Sequence, residues 1–169
     1  MINIVIPMAG RGSRFSRVGF EKPKPFIDVM GAPMIVRVLD NLAVAKANVI
    51  LIARAEHILQ ESALFASLRR DYGAHIVEID AVTEGTACTV LAAAELINNA
   101  APLLIANSDQ LVDCKMEEFI EDCFQRKLDG SILVFEDELG DPKWSFAQTD
   151  DHGRVLRVRE KEVISSLAT

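Results

Sequence analysis

The sequence has few cysteines, few aromatic residues and no long apolar run, and each shortage excludes a class of protein. Three cysteines without a C-x-x-C pair argue against a disulfide framework and indicate free thiols in a reducing cytoplasm. With one tryptophan and one tyrosine among 169 residues, small aliphatic side chains must fill the core. No apolar stretch is long enough for a signal peptide or a membrane span.

Basic residues are also in the minority, because the formal net charge is −7. This charge argues against nucleic acid or an anionic membrane as a partner. One segment is nevertheless locally basic. Its only acidic residue is Glu21, and it contains five basic residues: Arg11, Arg14, Arg17, Lys22 and Lys24. A basic loop in an acidic protein indicates a small anionic ligand, and the alternative is an ordinary solvated loop.

Short β-branched runs alternate with helical patterns along most of the chain. Strands are predicted at residues 2–6, 49–53, 75–79, 103–106 and 131–135, and helices at 33–45, 57–70, 86–98 and 116–127. The alternation predicts an α/β fold with three layers, a mostly parallel mixed sheet and helices on both faces. A β-hairpin is predicted near the C-terminus, with strands at 144–149 and 155–160. We expect one domain over residues 1–169, incomplete at its C-terminus.

A glycine-rich loop, P-M-A-G-R-G-S-R-F, follows the first predicted strand. It is neither a Rossmann fingerprint, which would need glycine in place of Phe15, nor a Walker A loop. Its glycines let backbone amides approach a phosphate, and Arg14 can contact phosphate oxygens through two donors. The K-P-K-P segment that follows holds Lys24 in an extended register. The alternatives are a plain βα turn and a basic surface turn.

The segments A-G-R-G-S-R-F and K-P-K-P-F-I-D-V-M-G-A-P-M-I resemble those of the sugar nucleotidyltransferases, also called nucleoside-diphosphate-sugar pyrophosphorylases. The family loop usually reads A-G-G-x-G-T-R, so Arg11 replaces a glycine and Ser13 a threonine, while Asp28 stands where proline is common. The resemblance implies the nucleotide-diphospho-sugar transferase fold. It also implies transfer of an NMP from Mg²⁺·NTP to a sugar phosphate, or a similar small phosphomonoester, with release of pyrophosphate. The pathway implied is activated-sugar or surface-polysaccharide biosynthesis.

The resemblance further implies roles for individual residues. Arg14 and Lys24 would be catalytic, with Arg14 on the pyrophosphate leaving group and Lys24 near the α-phosphate. Asp80 stands where the family often has a glutamine that reads a pyrimidine. A carboxylate only accepts hydrogen bonds, so it suits the cytosine amino group or guanine, unless Asp80 simply faces water. The nucleotide-binding set would be Ala9, Gly10, Gly12, Ser13, Asp80, Gly85 and Thr86.

Three later segments extend the resemblance. T-E-G-T-A is similar to the family's G-T-A segment beside the base, and the alternative is that Thr83 is only a helix N-cap. Asp109, in N-S-D after a strand, would bind Mg²⁺, and the alternative is an Asx turn. In the last segment, the sugar phosphate would be contacted by Trp144, Glu160 and Lys161. The alternative is that this segment is only a charged strand end.

Two other functions stay open. A nucleotide-sugar glycosyltransferase would usually carry D-x-D, whereas N-S-D has one aspartate. A non-catalytic nucleotide- or sugar-phosphate-binding module, degenerate or truncated, would fit the lack of the family's second metal-binding aspartate. The sequence is compatible with a homo-oligomer without fixing the oligomeric state. The remaining candidates are predicted to be structural: Cys88 as a small core residue, and His57, His75 and His152 without metal-ligand spacing.

Overall fold

The computed structural model describes residues 1–10, 12, 15, 17 and 19–169, and the chain forms two compact units, Met1–Glu117 and Glu118–Thr169. None of the helices among these residues combines the length and apolar character needed to cross a lipid bilayer.

Four parallel strands form the sheet of the first unit, in the order β5-β4-β1-β6. Ile4 of β1 lies opposite Val49 of β4 on one side and Leu104 of β6 on the other. A separate two-stranded hairpin joins β2 and β3. The strands of this unit are β1 (Ile2–Pro7), β2 (Asp28–Val29), β3 (Ala32–Pro33), β4 (Ala47–Arg54), β5 (His75–Ile79) and β6 (Leu103–Ile105).

Helices connect the parallel strands, and a 3₁₀ turn at Lys24–Phe26 precedes the β2–β3 hairpin. The helices among the described residues are α1 (Met34–Asn41), α2 (Ala55–Gln60), α3 (Ser62–Tyr72), α4 (Thr86–Leu91), α5 (Ala94–Ile97) and α6 (Met116–Gln125).

The core follows from the alternation of side chains along the strands. On one face of the sheet, Val5 and Ile52 pack with Val90 of α4 and its neighbour Ala93. Ile6 points to the opposite face and is also fully buried, so both faces of the sheet are covered. The predicted α/β fold, a parallel sheet flanked by helices, is therefore confirmed.

Two predicted helices are interrupted in the structure. The helix predicted at 57–70 is two helices, α2 and α3, which meet at Glu61. The helix predicted at 86–98 is likewise divided into α4 and α5. The helix predicted to open at Pro33 begins one residue later, because Pro33 still pairs with Asp28 in the β2–β3 hairpin.

The second unit contains the predicted hairpin, in which Ser145 pairs with Glu160. The hairpin lies in a separate antiparallel sheet, of order β7-β10-β8-β9, and does not extend the parallel sheet. Of the strand predicted at 131–135, only Phe135 is in a strand, where it begins the two-residue β7. In this sheet, Ala168 pairs with Phe135 on one side and with Phe146 on the other. Its strands are β7 (Phe135–Glu136), β8 (Ser145–Thr149), β9 (Val155–Glu160) and β10 (Leu167–Ala168).

Candidate functional site

A cleft of about 310 Å³ opens at the carboxyl ends of β1 and β6. Ligands of open α/β sheets bind at this edge. Two backbone hydrogen bonds keep the strands paired up to it, from Met8 N to Ile52 O at 2.9 Å and from Ala106 N to Val5 O at 3.0 Å. The cleft is lined by Pro7, Met8, Gly10, Gly12, Phe15, Lys24, Pro25, Asn107, Ser108 and Asp109.

Gly12 brings the glycine-rich loop into direct contact with the Lys24 turn. Its φ of +58° lies in the left-handed region, which favours glycine. A Cβ added at Gly12 would lie 3.3 Å from the Cβ of Lys24, tighter than ordinary van der Waals contact. Gly10 differs, because a Cβ there would have no neighbour within 4 Å. The loop therefore needs glycine at position 12 for its own geometry, while position 10 is free on the cleft side.

Lys24 reaches across the cleft and forms an ion pair with Asp109, 85 residues away in the sequence. The two side chains are only 28% and 31% exposed. The Lys24 Nζ atom also lies 5.4 Å from the centroid of the Phe15 ring, within the range of a cation–π interaction. The structure therefore joins three predicted features in one place: the glycine-rich loop, the lysine and the aspartate after β6.

The donor set around Asp109 fits a magnesium ion. Among the described residues no group of three or more His, Cys, Asp or Glu side chains could hold a metal. Mg²⁺ is nevertheless commonly bound through one or two carboxylates, with water and substrate phosphates completing its shell. Asp109 lines the open cleft, and its carboxylate already accepts a hydrogen bond from a cationic group, the ammonium of Lys24. One carboxylate beside an open cleft is what such a site would require from the protein.

The residues predicted to contact the base lie after β5, whose carboxyl end faces the same edge of the sheet. Asp80 is exposed, as are Gly85 and Thr86 at the start of α4. Thr83 is not the N-cap that the sequence offered as an alternative, because Gly85 takes that position. The Thr83 hydroxyl instead donates to the Gly85 carbonyl at 3.1 Å. Within the described part of the chain, the lining of the cleft does not include this segment.

Cys88 lies on α4, close to that segment in the sequence, and it is exposed. Its interpretation as a small core residue is therefore wrong. The apolar stripe of α4 is carried by Val90 instead, which is 6% exposed.

The predicted sugar-phosphate residues all lie in the second unit, where the start of β8 meets the end of β9. The backbone amide of Lys161 donates to the Trp144 carbonyl at 3.0 Å. The Lys161 ammonium donates to Glu160 at 2.7 Å, and this hydrogen bond lowers the pKa of the Glu160 carboxyl. The Lys143 Nζ atom lies over the Trp144 ring, 4.8 Å from its centroid. The second unit thus brings the three predicted residues together at one end of the hairpin.

Two predicted site residues, Ser13 and Arg14, lie outside the described residues, as does Arg11. Their assignments to phosphate and pyrophosphate remain predictions.

Sequence reasoning missed two features close to the cleft. Phe15 was used only to exclude a Rossmann loop, yet it lines the cleft beside Lys24. His57 was interpreted as an isolated structural residue, yet its Nε2 atom lies 2.6 Å from Nη2 of Arg54. The signal for His57 was the run R-A-E-H, which begins at the last residue of β4, at the carboxyl edge of the sheet.

Several known proteins are similar to this chain. The model of a family described as nucleotidyl transferase matches residues 4–164. The mannose-1-phosphate guanylyltransferase catalytic subunit beta of Dictyostelium discoideum is 23% identical over 158 residues, which are 93% of this chain and 44% of that protein. Mannose-1-phosphate guanylyltransferase of Mycobacterium tuberculosis is 24% identical over 166 residues, 95% of this chain and 44% of that protein. The chain thus spans less than half the length of these curated relatives.

A solved structure, the nucleoside-diphosphate-sugar pyrophosphorylase of Vibrio cholerae, superposes with a TM-score of 0.73 at 26% identity. The match covers 98% of this chain and 70% of that one. The similarity therefore includes both compact units.

Proposed function

Because the chain belongs to the nucleotidyl transferase family, we propose that it transfers an NMP group from an NTP to the phosphate of a sugar phosphate and releases pyrophosphate. The observation that carries the proposal is the convergence of Lys24 and Asp109 with the glycine-rich loop in one cleft. This is the arrangement that two anionic reactants need, since fixed positive charge must offset their repulsion.

In the proposed reaction, a phosphate oxygen of the acceptor attacks the α-phosphorus in line, and the bond to the β-phosphate oxygen breaks. Lys24 stabilises the charge that builds up on the α-phosphate, and backbone amides near Gly10 and Gly12 contact the other phosphates. Arg14 neutralises the departing pyrophosphate. No covalent intermediate on the protein is needed, because positioning and charge neutralisation supply the rate enhancement.

Asp109 would hold the magnesium ion, which when bound neutralises charge on the NTP phosphates. Magnesium binding would compete with the ion pair between Asp109 and Lys24 and would favour separation of the two side chains. The same separation frees the Lys24 ammonium for the phosphates. The ion pair places both groups at the cleft with their charges balanced.

We propose guanine as the base, and GTP as the first nucleotide to test. The two curated relatives are guanylyltransferases by name, at 23% and 24% identity. Asp80 supports the same choice, because its exposed carboxylate can accept hydrogen bonds from the donors of guanine. CTP, whose cytosine amino group is also a donor, is the alternative that the same carboxylate allows.

For the acceptor we propose a sugar phosphate whose phosphate meets Lys161 and whose hydroxyl groups donate to Glu160. The two side chains form an ion pair at 2.7 Å, so a substrate that replaces one of them must supply the matching charge or donor. A phosphorylated sugar offers both an anionic phosphate and neutral hydroxyl donors.

The decisive experiment is thermal denaturation of the chain with each common NTP, with and without Mg²⁺, beside Asp109→Asn. A ligand that binds only the folded state raises the melting temperature by mass action. We expect a Mg²⁺-dependent rise with GTP that Asp109→Asn loses. Pyrophosphate release with sugar 1-phosphates then tests catalysis.

Each rival function has its own outcome in these assays. Binding of NTP without turnover would replace the enzyme with a binding module. With nucleotide sugars as added substrates, hydrolysis or sugar transfer without pyrophosphate release would indicate a glycosyltransferase. No shift with any NTP would refute the nucleotide site itself.

A further inference from the structure

The residues on both sides of Lys24 contact helix α2 or its C-cap residue. Two residues before Lys24, the Lys22 ammonium forms an ion pair with Glu61 at 3.2 Å, and Glu61 is the C-cap of α2. Two residues after Lys24, the Phe26 ring packs edge-to-face on the His57 ring of α2, at 5.6 Å between centroids. Helix α2 therefore contributes to the position of the Lys24 turn.

His57 is the buried part of this attachment. Its residue is only 2% exposed, and Phe26, also 2% exposed, makes a second edge-to-face contact with Phe65 at 5.6 Å. The 3₁₀ turn itself is closed by a hydrogen bond from Phe26 N to Pro23 O at 2.9 Å. The contact of His57 with Phe26 is thus a rigid link from the core of the unit to the turn that carries the lysine.

A histidine is an unexpected choice for a contact that any apolar ring could make. Arg54 brings its Nη2 atom to 2.6 Å from Nε2 of His57, and a guanidinium can only donate. The His57 ring must therefore accept at Nε2, which makes it neutral, with its proton on Nδ1. That Nδ1 atom is buried without a hydrogen-bond partner in the described part of the chain, as is Nε of Arg54. Buried polar atoms of this kind call for an explanation beyond packing.

We propose that His57 is a positioning residue for the transfer reaction: its neutral ring, oriented by Arg54, holds Phe26 and so fixes the turn that presents Lys24 to the phosphates. The proposal rests on the proposed function, because it concerns the geometry of the lysine assigned to the reacting phosphates.

The arrangement has a consequence for pH. The charged groups that act on the ring are Arg54 at the end of β4 and Glu56 in α2, while the Lys24 turn presents only the uncharged Phe26 ring. Burial lowers the pKa of His57 most, Arg54 lowers it further, and Glu56 opposes them. Once protonated, the ring can no longer accept from Arg54 and carries a like charge against it. The ring must then move, and Phe26 loses its support.

The test compares full-length His57→Gln, His57→Leu and the wild type, with His75→Gln as a matched control at an exposed histidine. The rate of pyrophosphate release is measured against pH, and circular dichroism at each pH reports the folded fraction. We expect His57→Leu to lower kcat by about 10- to 100-fold, the effect of misplacing a reacting group by about 1 Å, with a smaller change in KM for the NTP.

His57→Gln separates positioning from simple packing. Its amide oxygen can still accept from Arg54 but cannot be protonated at these pH values. We expect it to retain more activity than His57→Leu at neutral pH. We also expect it to lack the acid decline in kcat predicted for the wild type, which should lie below the ordinary histidine pKa of about 6.5 because the pKa of His57 is lowered. His75→Gln should keep the wild-type pH profile. An unchanged acid decline in His57→Gln, or wild-type kcat in folded His57→Leu, would overturn the proposal.

A second readout does not need catalysis. Acylation of lysines followed by mass spectrometry measures how firmly Lys24 is held, and its labelling rate should rise in His57→Leu and stay at the wild-type value in His75→Gln. If no variant or wild type released pyrophosphate, the proposed function would fail while this labelling still decided the positioning role. Equal Lys24 labelling in all chains would refute the role of His57 directly.

Discussion

The ion pair between Lys24 and Asp109 predicts that the lysine competes with Mg²⁺ for the carboxylate. Lys24→Met keeps a side chain of similar length and removes the charge. Exposed ion pairs contribute about 0.2 to 1 kcal/mol. The upper end applies here, because both side chains are less than a third exposed. About 1 kcal/mol corresponds to roughly a fivefold change in Kd. We therefore expect nucleotide-free Lys24→Met to bind Mg²⁺ about fivefold more tightly than the wild type.

The assay is calorimetric titration of the nucleotide-free chain with Mg²⁺. Lys22→Met is the matched control. It removes the same charge two residues away from Lys24, and Lys22 pairs with Glu61, at 3.2 Å, and not with Asp109. Adding Asp109→Asn to Lys24→Met should abolish the gain. Equal Mg²⁺ affinity in the wild type and Lys24→Met would refute competition within the pair. An equal gain in Mg²⁺ affinity in Lys22→Met would mean that the effect comes from the net charge of the chain and not from the ion pair.

Two further predictions concern a glycine and a tyrosine. Gly12→Ala forces a left-handed alanine against Lys24, so it should lower the free energy of unfolding by about 1 to 2 kcal/mol in chemical denaturation and also reduce turnover. Gly10→Ala has open space and should keep wild-type stability, and equal stability of both variants would contradict the steric argument. Burial and the hydrogen bond to Asp40 raise the pKa of Tyr72, the only tyrosine, to about 12, so near-ultraviolet absorbance should show it titrating well above its ordinary value of about 10. The stabilising contribution of protonated Tyr72 is present below about pH 10 and is lost as the pH rises through 12. A Tyr72 pKa that stays at its wild-type value in Asp40→Asn would refute Asp40 as a cause of the shift.

The parallel sheet could be predicted because its signal is local. β-branched runs followed by helical stripes recur along the first unit, and the sequence placed β5 at the bounds that the structure has. The break between α2 and α3 could not be predicted, since Glu61 sits among good helix formers. In the structure this residue pairs with Lys22, 39 residues away, which is a tertiary contact without a local signal.

The second sheet shows the same division. Its hairpin turn is marked by Asp150, whose carboxylate accepts from the backbone amides of His152 and Arg154. By contrast, β7 and β10 are two-residue strands, too short to show any periodicity. Their pairing depends on chain segments more than thirty residues apart.

For the cleft, the sequence and the family resemblance together identified Lys24 and Asp109, but not their direct contact. That contact depends on β6 lying beside β1, an order that alternating strands and helices leave undetermined. Cys88 was assigned to the core from its alanine-rich surroundings. It is exposed because only the side of α4 that carries Val90 faces the sheet.

The position of β6 at the edge of the parallel sheet also bears on the order of folding. Its first pair joins Asn3 to Leu103, so β6 can dock only after a loop of nearly a hundred residues has closed. Closing so long a loop delays non-local pairing relative to the local βα units. Asp109 arrives with this strand, whereas the glycine-rich loop directly follows β1. During synthesis the side of the cleft formed by the glycine-rich loop is therefore made first. Asp109 is added when β6, the last strand of this sheet in the chain, pairs with β1.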